Sequence, residues 1–117
     1  MPLVEVFGVE PDVPQGQLIG WQQSIADLVR ALPGFRPDDD GEPYVAFVAE
    51  LVRPLGSDLR AVVSGLPGRE LESDRQKLAD DLSEFFVAMR QPRPQSVRVI
   101  VEAPLADGSA VAKFQRP

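Results

Sequence analysis

With no histidine and no cysteine among 117 residues, the chain holds few side chains able to move a proton near neutral pH. Histidine-based triads, thiolate nucleophiles, disulfides and Cys/His zinc sites are all excluded. Acid–base work falls to a carboxylate, an amine or a phenol in an altered environment. Three places stand out, one that could supply an amine and two that supply a fixed positive charge. Met1-Pro2 opens directly into an apolar run. Methionine is commonly trimmed before a small residue, and trimming here leaves a secondary amine on proline. Gly68-Arg69 stands in the stretch LPGRELESDRQK, just ahead of a helical pattern. Arg98 interrupts the otherwise apolar run SVRVIV. A guanidinium in such a strand needs a counter-charge or a ligand, because burying an unpaired charge is costly. An ion pair with Glu5, Glu50 or Glu102 is one answer, and an anionic ligand is the other.

The elements that must position these residues follow from periodicity. Leu3 to Phe7 reads as a short strand closed by Gly8. Leu18, Trp21, Ile25, Leu28, Val29 and Leu32 recur at three- and four-residue steps, which predicts a helix over 17–32 that ends at Pro33-Gly34. Arg36 to Pro43 reads as a polar acidic loop, with Asp38, Asp39 and Asp40 in a solvated turn that lacks calcium-loop spacing. Tyr44 to Val52 is a second strand. Leu59 to Val63 is a third, closed by Ser64-Gly65. Ser73, with Gln76 three residues on, has the spacing of a capping box. Leu78, Leu82, Phe85, Phe86 and Met89 form the apolar stripe of a second helix, stopped by Pro92 and Pro94. Trp21, Phe85, Phe86 and Met89 read as core. Ser96 to Ala103 is a fourth strand, Asp107-Gly108 a turn, and Ala110 to Phe114 a short terminal strand.

The order predicts a single α+β domain of two tandem βαβ units, about 2–55 and about 57–104, with a tail over 105–117. Right-handed crossovers make each strand pair parallel and put both helices on one face of a four-stranded mixed sheet. The strands are apolar on both faces, so the bare face is expected to be covered by further copies of the chain. If Val97, Val99 and Val101 face the helices, Arg98 faces the interior of that assembly.

Acidic residues outnumber Lys and Arg 18 to 12, for a net charge of -6. No basic stripe suits nucleic acid, and no apolar run approaches the ~20 residues of a membrane span. Met1 to Val13 has no secretory leader pattern, so a cytoplasmic location is expected. Gly65 and Gly68 lack the Lys-Ser/Thr of a phosphate loop. No metal and no cofactor are expected.

Taken together, Pro2, Gly68-Arg69 with Ser73-Asp74, and Ser96-Val97-Arg98-Val99-Ile100 resemble the tautomerase superfamily, whose members carry a catalytic amino-terminal proline. The second unit is similar to the single βαβ unit of the 4-oxalocrotonate tautomerases. The doubled layout is similar to that of the 5-carboxymethyl-2-hydroxymuconate isomerases, which form trimers with helices outside and sheets inside. The resemblance implies a homotrimeric isomerase of aromatic catabolism acting on a small carboxylate, a 2-hydroxy-dienoate or enol/keto acid. Pro2 would be the general base, Arg69 and Arg98 the anion binders, and Phe114 a pocket wall. Glu70, Leu71 and Glu72 stretch the family's Arg-Ser-Asp spacing, which leaves Arg75 as a stand-in for Arg69. Alternatives on the same scaffold are a dehalogenase, hydratase or decarboxylase, with Glu50 or Glu102 activating water. A third alternative is a non-enzymatic trimer used as a binding or scaffold protein.

Overall fold

A computed structural model describes residues 1–49, 58–88, 96–103 and 110–115. The elements in chain order are β1 (Leu3–Phe7), α1 (Gln15–Arg30), α2 (Pro37–Asp40), β2 (Tyr44–Val48), β3 (Asp58–Ser64), α3 (Glu72–Ala88), β4 (Ser96–Val101) and β5 (Ala110–Gln115). They form an α+β structure with one mixed sheet in the order β2-β1-β3-β4-β5. β1 pairs parallel with β2, and α1 and α2 lie between them in sequence. β3 pairs parallel with β4, with α3 between them. The two pairs meet where β1 runs antiparallel to β3.

Strand alternation sorts the side chains into two faces. Val4 and Val6 of β1, Val45 of β2, Ala61 and Val63 of β3, and Val97, Val99 and Val101 of β4 are all buried. They pack with Ile25 and Val29 of α1 and with Leu78, Leu82 and Phe86 of α3 in one core. The other face carries Leu3, Glu5 and Phe7, then Arg60 and Val62, then Arg98 and Ile100, each at least partly exposed. There the Arg60 guanidinium lies over the Phe7 ring, 5.4 Å from its centroid.

Among the described residues the sheet has five strands where four were expected, because the terminal strand expected over Ala110 to Phe114 joins it. The tail segment β5 runs antiparallel to β4. Its Ala110 and Ala112 are buried in the core, and it satisfies a backbone edge that β4 would otherwise expose. Among the described residues there are also three helices rather than two. Pro37 starts α2 and Gly41 ends it, a pairing that favours a helical turn even in four residues. α1 begins at Gln15, directly after Pro14, and ends at Arg30. α3 already includes Glu72, so Ser73 lies within its first turn and is not its cap. β2 ends at Val48. Glu50 to Val52, Met89, Pro92, Pro94 and the Asp107-Gly108 turn lie outside the described residues. Among the described residues no helix is long and apolar enough to cross a membrane.

Gly65 shows how tightly the sheet's end is fitted. Its φ is +72°, and an added Cβ would run into the carbonyl oxygen of Met1. Gly65→Ala should therefore lower stability by about 1–2 kcal/mol from the left-handed backbone alone. Urea denaturation measures this, and an unchanged midpoint contradicts the assignment.

Candidate functional site

The start of β1 is closely packed. Pro2 precedes the strand and shares the parity of Val4 and Val6, so its ring is fully buried. Having no N–H, it is suited to the first position of a strand. Its carbonyl accepts the Tyr44 N–H at 2.9 Å, which locks it to β2. Met1, by contrast, is 71% exposed. It lies between two glycines. A Cβ on Gly41 would meet the Met1 Cα at 3.3 Å, and one on Gly65 would meet its carbonyl. Two loops, one leading into β2 and one leaving β3, thus converge on the chain's first peptide bond.

Both loops carry a charged residue, and the two charges meet. The Arg69 Nη2 donates to the Asp40 Oδ2 at 2.5 Å and to the Gly34 carbonyl at 3.2 Å. Asp40 Oδ2 also accepts the Arg36 N–H at 2.8 Å, closing the turn of α2. The Asp40 side chain is only 5% exposed, whereas Arg69 is half exposed. Asp40 is therefore not in a solvated turn; Arg69 covers it. Asp38 and Asp39 remain exposed. The Arg69 hydrogen bond, supported by the Arg36 N–H, holds the Asp40 carboxyl below its ordinary range. The same hydrogen bond holds Arg69 further toward its charged form.

A carboxylate whose folded pKa is depressed contributes stability above its unfolded value and loses it as pH falls through the folded one. The unfolded value is about 3.9. The stability gap between the wild type and Asp40→Asn should therefore be full at pH 5 and shrink steadily below about pH 4. Thermal melts across this range test it; a gap that does not change with pH contradicts the pairing.

Arg75 is buried on α3, and its Nη1 donates to the Glu70 carbonyl at 2.8 Å. Of the two arginines considered for one role, Arg69 is thus the one open to a ligand.

Arg98 stands at the other end of the sheet. Its valine neighbours are buried and it projects from the bare face, as alternation requires. Phe7 is level with Arg60, and Arg60 with Arg98. Arg98 is therefore five residues down the strands from Pro2 and two strands across, on the order of 20 Å away. Among the described residues it makes no ion pair with Glu5 or Glu102. Lys113 of β5 is its direct cross-strand neighbour. A surface hollow of about 390 Å³ is lined by Ser96, Val97, Arg98, Lys113, Phe114 and Gln115. Phe114 pairs with Val97 and packs against the core, so it and Arg98 border the hollow from opposite faces. One chain thus gathers Pro2, Arg69 and Asp40 at one end and Arg98 and Phe114 at the other. Glu102 is exposed beyond the end of β4, with its N–H donated to the Val63 carbonyl. Among the described residues no group of three acidic residues gathers to hold a metal ion.

Asp40 is the residue that pattern reading passed over. Its signal was the run Pro37-Asp38-Asp39-Asp40-Gly41, a proline before and a glycine after acidic residues suited to a helix's first turn. The chain matches no protein-family model, no curated protein and no solved structure. The described residues form an α+β protein with a five-stranded mixed sheet.

Proposed function

We propose that the chain is an isomerase of the tautomerase type, moving a proton within a small 2-hydroxy-dienoate or enol/keto acid with Pro2 as base. One observation carries this reading: Pro2 is buried at the head of β1, where the Arg69 and Asp40 loops converge around Met1. The two parallel strand pairs, joined antiparallel at β1 and β3, support it as well.

Met1 is exposed and open to trimming. Its removal frees the Pro2 nitrogen as a secondary amine and vacates space between Gly41 and Gly65, neither of which has a side chain to fill it. A free α-amine titrates near 8, and burial disfavours its ammonium form, which leaves the nitrogen able to accept a proton. The amine takes the hydroxyl proton of the dienol. The oxygen's electrons form the ketone while the diene electrons shift, and the ammonium returns the same proton to carbon. Arg69 binds the substrate carboxylate or the developing oxyanion, where a positive group lowers the barrier most.

Arg98 acts only in an assembly, where a second copy closed over Leu3, Phe7, Val62 and Ile100 would bring it toward the first copy's Pro2; Phe114 lies on the helix side of the sheet and stays outside that interface. A second reading, hydration or decarboxylation on the same scaffold, is favoured by Asp40. It supplies the carboxylate beside Arg69 that such chemistry needs, in place of Glu50 or Glu102.

Intact mass and an ultraviolet assay test the proposal together. The mass should lack Met1, and the absorbance of 2-hydroxymuconate or phenylenolpyruvate should decay with enzyme. A retained Met1 with no ketonisation removes the enzymatic reading and favours a binding role for the fold.

A further inference from the structure

Arg75 is a charged residue in the core, 3% exposed, with a buried Nε that has no hydrogen-bond partner. Burying a guanidinium and leaving one of its donors unmatched is unfavourable. An apolar side chain of similar volume at such a site is often neutral or stabilising. Stability therefore gives little reason for arginine here, and the contact it does make points to another.

That contact is to the backbone beside Arg69. Arg75 Nη1 donates to the Glu70 carbonyl at 2.8 Å, across five residues of sequence. The Glu70 carboxylate accepts the Gly68 N–H at 3.1 Å. Both neighbours of Arg69 are thus tied: Gly68 by the Glu70 side chain, and Glu70 by Arg75. Arg69 itself reaches away from this anchored loop to Asp40 and Gly34, which belong to the segment before β2. The backbone N–H of Arg75 donates to the Leu71 carbonyl at 3.0 Å, so the anchor is part of α3's first turn. The rigid helix thereby fixes the loop, and the loop fixes the guanidinium on Asp40, the residue before Gly41, which packs on Met1.

We infer that Arg75 is a positioning residue that holds the Gly68–Glu70 loop so that Arg69 is presented to the anion of the substrate. The functional half of this inference rests on the isomerase reading above; the structural half does not. Arg75 touches no substrate, being enclosed, and acts only through Arg69.

The experiment compares Arg75→Met, Arg69→Ala and the double variant by two readouts. In the first, KM for 2-hydroxymuconate rises on the order of tenfold in Arg75→Met with kcat little changed, the loss expected when one charge-assisted hydrogen bond no longer orders its partner. Arg75→Lys, which keeps a cationic donor, recovers part of the loss. In the Arg69→Ala background Arg75→Met has no further effect. In the second, ¹³C NMR follows the Asp40 carboxyl through its titration. Arg75→Met moves it upward, in the direction Arg69→Ala does, although Arg75 does not touch Asp40.

A folded Arg75→Met protein with unchanged Asp40 titration overturns the inference. So does an equal KM effect with and without Arg69. If the wild type shows no ketonisation at all, the isomerase reading fails and the NMR readout alone decides the positioning role. Arg75→Leu serves as a second apolar variant. Failure of both to fold would show that Arg75 serves stability, and this too overturns the inference.

Discussion

Pro2→Ala should lower kcat/KM for ketonisation of 2-hydroxymuconate, by up to about 10²–10⁴-fold, the usual contribution of a positioned acid–base group. Alanine is also small enough for Met1 to be trimmed ahead of it, so the variant should keep a terminal amine and the effect isolates what proline adds. A primary amine on alanine rotates freely about its Cα. The proline nitrogen is held by a ring that is itself buried. The strand's register should survive the change, because the carbonyl of residue 2 still accepts the Tyr44 N–H. Circular dichroism and melting temperature should therefore stay close to the wild type while turnover falls. Wild-type kcat/KM in Pro2→Ala would mean that the base lies elsewhere, with Asp40 the first alternative.

Phe86→Ala costs about 3–5 kcal/mol. The ring is fully buried on α3 and packs edge-to-face on Phe85, with centroids 5.6 Å apart and an interplanar angle of 67°. It belongs to the core that joins both helices to the sheet. α3 packs against β4, β5 and α1, so the cavity left by truncation is enclosed by fixed elements. A domain of this size has about 5–15 kcal/mol of total stability, so the loss is a large fraction of it. Urea denaturation gives the free energy directly, and the melting temperature should fall by roughly 10–20 °C. A loss below about 1 kcal/mol would be typical of a surface site and would contradict the placement of α3 on the sheet.

What could be read from the sequence was whatever repeats locally. The β-branched runs of β1, β3 and β4 and the three- and four-residue steps of α1 and α3 appear where their periodicity places them. The alternation that buries Val97, Val99 and Val101 and turns Arg98 to the bare face was legible for the same reason. α2 was missed because four residues carry no apolar period; only Pro37 and Gly41 marked it. Ser73 had the spacing of a cap, but a helix that includes Glu72 leaves it inside the first turn.

The site was less legible than the strands. Asp40 looks solvated until Arg69, 29 residues away, closes over it. No local pattern records that contact. The position of Arg98 relative to Pro2 depends on the antiparallel register of β1 and β3, which sets Phe7, not Pro2, level with Arg60 and Arg98. Residue types named Pro2, Arg69 and Arg98 together; the chain's own topology brings only the first two to one end.

The nitrogen of Pro2 is where these readings meet. With ¹⁵N-labelled proline in the assembled protein, its resonance should be that of an amine, and it should titrate below a solvated secondary amine. In Arg69→Ala it should respond differently to a bound carboxylate. A resonance in the tertiary-amide range that does not move with pH would show the nitrogen still bonded to Met1, and the proposed chemistry would have no base.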